Sequence, residues 1–141
     1  MNDSNPEVFV DTACWIALLN RQDSLHVSTN TLYQDLMKKG SVFITTSSII
    51  EETANALSNP KFKPSLINFY HNISRSPRVT ILHIDPDLWE KGWRLFSNRD
   101  DKNWSFTDCL SFVVMNDRKI KTALTSDKHF IQAGFSAMLQ N

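Results

Sequence analysis

Val8-Phe9-Val10-Asp11-Thr12 runs three apolar, strand-favouring residues straight into a carboxylate, and Ala13 to Leu19 then reads as a buried helix. A strand apolar on both faces belongs in the middle of a parallel sheet covered by helices on each side. Asp11 therefore stands at the C-terminal edge of a central strand. Ligands bind at that edge in open α/β sheets, so Asp11 has two readings: the N-cap of the following helix, or one wall of an active site.

Working outward, Leu25, Leu32, Tyr33 and Leu36 share one helical face that ends at Lys38-Lys39-Gly40, a basic last turn followed by a stop. Ser41 to Thr45 reads as a second buried strand, with Ser47 and Ser48 as candidate N-caps of a helix running to about Leu57. Asn59-Pro60 and Pro64 are read as breaks. Leu66, Phe69, Tyr70 and Ile73 form a helical stripe, Val79 to Leu82 a third strand, and Asp85-Pro86 opens a helix carrying Leu88, Trp89, Trp93 and Phe96. After a polar loop from Asn98 to Asn103, Ser105 opens a helix with Phe106, Leu110, Val113 and Val114 on one face. Lys121 to Thr125 is a short fourth strand, Asp127 to Ile131 a helical turn, and Phe135 to Leu139 a last edge strand. This alternation predicts a three-layer α/β fold, its central sheet of four to five strands mainly parallel and flanked by helices.

The 141 residues, 41% of them hydrophobic, suit one domain over 1–141 with a sizeable core, and three Gly and five Pro leave little room for linkers. Fifteen basic residues balance fifteen acidic ones, which excludes a wholesale basic nucleic-acid surface and leaves only a local patch for such a partner. The N-terminal residues lack the basic and apolar regions of a signal peptide, and no apolar run approaches a membrane span; a soluble cytoplasmic protein is expected. Cys14 and Cys109 fall inside apolar helical patterns and read as reduced core thiols.

Carboxylates recur where strands end. Asp11 follows the first strand, Glu51 and Glu52 lie just after the second, Asp108 sits in the first turn of the Ser105 helix, and Asp127 follows the fourth strand. Each has a structural alternative. Ser48-x-x-Glu51 and Ser105-x-x-Asp108 match capping boxes, and Asp127 can cap a helix. Capping accounts for Glu51 and leaves Glu52 without a structural task. If Asp11, Glu52, Asp108 and Asp127 converge, repulsion decides what accompanies them: two carboxylates about 4 Å apart repel by roughly 4 kcal/mol at an effective dielectric near 20. Protonation or a cation must relieve it. Hard oxygen donors favour Mg²⁺ or Mn²⁺. His26, His71, His83 and His129 are scattered without the paired spacing of a zinc site, and read as surface or core residues. Phosphate-binding Gly loops, Gly-x-Ser-x-Gly elbows and Cys-x-x-Cys pairs are absent from the sequence.

Val8 to Thr12, Thr45 to Thr53, Trp104 to Cys109 and Ala123 to Phe130 occur in the order and spacing of the PIN domain. Through these four motifs nearly the whole chain resembles the VapC-like ribonucleases. The resemblance implies a Mg²⁺- or Mn²⁺-dependent nuclease whose metal is held by Asp11, Glu52, Asp108 and Asp127, with Thr12 and Thr125 helping to place ligands or water. Ala13 departs from the family's usual Ser or Asn. RNA is the implied substrate, cut by an activated water to leave a 5′-phosphate and a 3′-hydroxyl. A toxin role, an antitoxin partner and a homodimer are implied as well. Acids repel RNA, so a basic mouth is expected, with candidates Lys61, Lys63, Lys91, Arg94, Arg99, Lys102 and Lys128; solvated surface is the alternative for each. Trp104 reads as a base-stacking residue or, alternatively, as a loop anchor. Two rival functions use the same acids or the same fold: a Mg²⁺-dependent phosphohydrolase acting on a small phosphate ester, and a binding module for RNA or protein with little turnover.

Overall fold

The central strand is β1 (Glu7–Val10), and its last three residues are fully buried, as a strand covered on both faces requires. The structure is a computed structural model that describes residues 5–139. Around β1, four further strands, β2 (Val42–Thr46), β3 (Val79–Leu82), β4 (Thr122–Leu124) and β5 (Ser136–Ala137), build a sheet in the order β3-β2-β1-β4-β5. Every pairing is parallel, so the expected mainly parallel sheet is wholly so, and its edge strand spans only two residues.

Among the described residues, seven helices make the crossovers: α1 (Thr12–Leu19), α2 (His26–Lys38), α3 (Ser47–Ala56), α4 (Lys63–Arg75), α5 (Pro86–Asn98), α6 (Phe106–Asp117) and α7 (Lys128–Gln132). The register pairs Val8 with Phe43, and Phe9 with both Ile44 and Ala123, so successive β1 side chains enter different layers. On one face Phe43 stacks on Tyr33 of α2, which meets Trp15 of α1 edge-on. On the other, Phe9 packs on Phe130 of α7, which in turn meets Phe112 of α6. Cys14 and Cys109 are buried free thiols, as expected.

Local details correct three expectations. Pro64 does not break the chain: it lies in the first turn of α4, where the missing N–H is harmless. Helix α3 is capped by Thr46, whose hydroxyl accepts from the Ile49 N–H at 3.2 Å, and neither Ser47 nor Ser48 has that task. Ser47 instead accepts from the Ile84 N–H, and the Ser48/Glu51 capping box does not form. At Ser105 the capping box does form, reciprocally with Asp108.

Helices α5 and α6 touch closely because Gly92 leaves room for Leu110: a Cβ built on Gly92 would lie 2.5 Å from Leu110 Cδ2. Where the strands begin, Arg78 donates from Nη2 to the Met37 and Ser41 carbonyls at 2.7 and 2.6 Å, closing the last turn of α2. Arg118 there grips Glu7 through two hydrogen bonds.

Candidate active site

Four crossovers deliver their acids to the edge where the strands end. Asp11 occupies the N-cap position of α1 with extended backbone, yet its side chain makes no capping hydrogen bond. Its Oδ2 instead accepts from the Thr125 hydroxyl at 2.7 Å, across the seam between β1 and β4. Of its two readings, wall of a site is the one its contacts match. Burial pushes the Asp11 carboxyl up to about 7, with the Asp108 and Glu52 charges adding to the rise and the Thr125 hydrogen bond opposing it.

Thr125 also accepts from the Asp127 N–H at 3.0 Å, so one hydroxyl fixes both the Asp11 carboxylate and the Asp127 backbone. Asp127 caps the short α7, its Oδ1 accepting from the His129 N–H at 2.9 Å. Asp108 uses Oδ2 twice, accepting from the Ser105 N–H at 3.1 Å and facing His129 Nδ1 at 3.0 Å. Glu52 projects from α3, and its Oε1 accepts from the Thr12 hydroxyl at 2.6 Å.

A pattern emerges from these bonds. Each acid has one oxygen tethered by its neighbours, and the Asp11 carboxyl is held in addition by the Thr12 backbone. Tethering of this kind aims the carboxylate, which is how residues behind a metal site orient its ligands. None of the ion pairs among the described residues brings a Lys or Arg to these acids. Carboxylates without a Lys or Arg partner, with His129 beside Asp108 and Asp127, are donors that a hard divalent cation can take.

His129 was missed as a site residue by the sequence reading. Ligand atoms of Asp108, Asp127 and His129 lie within 4.8 Å of one another, so the cluster contains one imidazole besides its oxygens. Paired histidines were the signal sought, whereas the partners of this one are carboxylates. Its spacing, two residues after a strand-end Asp in a helical first turn, was the available clue.

Three of the seven candidates for a basic mouth, Lys61, Lys91 and Arg99, are engaged elsewhere. Lys91 sits between Asp87 and Asp117, lining a separate pocket with Asp85 and Arg118. Arg99 pairs with Asp101 and lies 4.7 Å over the Trp104 ring. Lys61 lies against Phe62, near Arg21 and away from the acids' neighbours. Lys63 is exposed at the start of α4. Arg94 is exposed on α5, Lys102 is partly buried, and the exposed Lys128 adjoins Asp127. Trp104 is only 6% exposed, with its Nε1–H donating to Gln132 and Arg99 covering its ring; it anchors the loop and cannot stack a base. Both thiols are pushed up by burial, Cys109 to about 11, which leaves neither as a thiolate nucleophile near neutrality.

The PIN domain family model matches residues 8–136. Among characterised proteins, the 23S rRNA-specific endonuclease VapC20 of Mycobacterium tuberculosis is 32% identical over 128 residues, spanning 91% of this chain and 95% of the relative. The crystal structure of M. tuberculosis VapC20, described as a Sarcin-Ricin loop cleaving toxin, superposes with a TM-score of 0.83 at 30% identity, covering 94% of this chain and 99% of that one. By family model, relative and superposed structure alike, this chain belongs to the PIN-domain family.

Proposed function

We propose that this chain is a divalent-metal-dependent endoribonuclease, a single PIN domain serving as the toxin of a toxin–antitoxin pair in the cytoplasm. The observation that supports the reading is that Asp11 feels the Asp108 and Glu52 charges and shares Thr125 with Asp127, all at the sheet edge where the strands end. Similarity to an rRNA endonuclease supplies the substrate class.

Asp11 and Asp108 would hold Mg²⁺ or Mn²⁺, with Glu52 and Asp127 engaged directly or through water. When bound, the cation lowers the pKa of water and neutralises charge on the phosphoryl oxygens. The remaining tasks fall to the chain. Thr125 and Thr12 hold Asp11 and Glu52 in place. Ser105 N–H and His129 hold Asp108. The carboxylate oxygens orient a water for in-line attack on the phosphodiester and accept its proton. Of the seven candidates, Lys63, Arg94, Lys102 and Lys128 are left to meet the RNA backbone. An antitoxin segment would silence the enzyme by covering the acids, and the toxin would act as a homodimer. No helix among the described residues is long and apolar enough to cross a membrane.

The test is direct. Purified protein, freed of any partner, is incubated with an end-labelled sarcin–ricin-type hairpin and with an unrelated structured RNA, in Mn²⁺, Mg²⁺ and EDTA, beside Asp108→Asn. Cleavage that requires the cation and vanishes in the variant is expected. Equal, cation-independent behaviour of the two proteins would sink the reading and favour a binding role.

A further inference from the structure

Beside the acids, between α3 and α5, lies a cleft of about 260 Å³ whose walls include Glu51, Glu52, Asn55, Trp89 and Phe106. Its two sides differ in chemistry. On the α5 side Trp89 is 49% exposed, a large amount of aromatic surface left open to water. The indole does not lie loosely, because Phe106 meets it edge-on at 4.7 Å and is itself packed against Trp93 and Phe96. On the α3 side the cleft offers the Glu51 and Glu52 carboxylates with the Asn55 amide and the Ser48 hydroxyl, Thr107 lies beside Phe106, and no Lys or Arg among the described residues lines it.

That combination selects its occupant. A phosphate seated against Glu51 would meet its carboxylate with no Lys or Arg to offset the charge, so the RNA backbone is disfavoured there. A purely apolar segment would strand the carboxylates without partners. A planar ring that stacks on one side and donates hydrogen bonds on the other satisfies both walls, and an unstacked nucleobase with an exocyclic amino group has that form. The size agrees, being just below the ~300 Å³ where pockets for small ligands begin, enough for a base and not for a folded segment. Glu52 belongs both to this cleft and to the acid cluster, so the cleft adjoins the place where the phosphodiester would be attacked. Glu51, with no capping box to serve, is exposed and turned to the same cleft.

We infer that the α3–α5 cleft is a nucleobase pocket of the nuclease: it takes an amino-bearing base next to the scissile bond, stacked on Trp89, with Glu51 and Asn55 accepting from its edge. This rests on the ribonuclease reading and adds where sequence preference arises.

The full-length protein is tested as Trp89→Ala, Trp89→Phe, Glu51→Gln and, as a control on the same helix outside the cleft, Glu90→Gln at an exposed position. On an end-labelled hairpin in Mn²⁺, Trp89→Ala is expected to raise KM about tenfold, the size of one base–aromatic stack, and Trp89→Phe to restore most of it. Glu51→Gln is expected to weaken discrimination against uracil at the flanking position, and Glu90→Gln to match the wild type. Binding is read separately in the Asp108→Asn background, where a short RNA should quench tryptophan fluorescence with Trp89 present and much less in Trp89→Phe. Light scattering follows the oligomeric state of every variant. Wild-type cleavage with an unchanged KM in Trp89→Ala overturns the pocket and leaves the nuclease standing. So does a Trp89→Ala protein whose only defect is lost self-association. Failure of the wild type to cut any RNA sinks the nuclease reading itself.

Discussion

The two edges of the sheet treat charge in opposite ways. Where the strands begin, Glu7 is gripped by Arg118 at 2.6 and 3.2 Å, and the Arg78 guanidinium satisfies carbonyls at the end of α2. Where the strands end, four carboxylates gather without a Lys or Arg paired to any of them. The paired edge is consistent with a purely structural role. Unpaired charge at the other costs stability, a cost that either protonation or a counter-charge from outside the chain relieves.

Replacing one carboxylate by its amide at the unpaired edge is the strongest way to probe this contrast. Asp108→Asn keeps an oxygen able to accept from the Ser105 N–H, so the α6 cap survives, while one negative charge is lost. Cleavage is expected to fall about a thousandfold in initial-rate assays on labelled RNA, and the thermal midpoint of the metal-free protein to hold or rise. A variant that keeps its activity, or unfolds like a core mutant, would make Asp108 structural.

Protons should stand in for the missing cation when metal is removed. The Asp11 carboxyl lies at about 7 in the folded protein against an ordinary 3.8. Between those values the folded state binds more protons than the unfolded chain, so this group's contribution to stability falls as pH rises through the window and levels off above it. About three units correspond to roughly 4 kcal/mol as an upper bound. Denaturant titrations in EDTA at pH 5 and pH 8 are expected to show greater stability at pH 5 from this group. Asp11→Asn should flatten the difference, and saturating Mn²⁺ should reduce it.

His129 gives a smaller effect. It holds Asp108 without adding negative charge, so His129→Gln is expected to weaken Mn²⁺ binding by about tenfold to a hundredfold in calorimetric titrations, leaving the fold intact. Unchanged affinity would reduce it to a neighbour of the site.

How far these features were legible follows from the distance over which each is decided. The strand at 8–10 was readable because its burial on both faces is written into three consecutive side chains. Element order and parallel character followed from the same kind of local pattern, as did the Ser105 capping box. Asp11 was ambiguous because N-cap and site wall share one backbone conformation, and the deciding partner, Thr125, is 114 residues away. Thr46 rather than Ser48 caps α3 because the strand runs one residue further than its apolar pattern suggests. Trp104 and Trp89 looked alike in a list of aromatics; packing buried the first under Arg99 and left the second open beside Glu52. His129 was hidden for the same reason as Thr125, its partners arriving from another crossover.

The mildest expected effect repeats the first substitution at the opposite edge. Glu7→Gln also turns a carboxylate into an amide, and it too removes a charge from the end of a strand or helix turn. Here, though, the carboxylate already has its cation, and both side chains are about a third exposed, 30% for Glu7 and 36% for Arg118. Water and salt therefore screen the pair, and its loss is expected to cost about 1 kcal/mol or less in denaturant titrations, less still at high ionic strength. Cleavage should not change, because none of the acids at the far edge touches Glu7 or Arg118. The two amide substitutions thus separate by readout: one should silence the enzyme at no cost in stability, the other should cost a little stability and leave the enzyme working. If Glu7→Gln also slows cleavage, the two edges are coupled through β1, and the division between structural and functional charge fails at the strand that joins them.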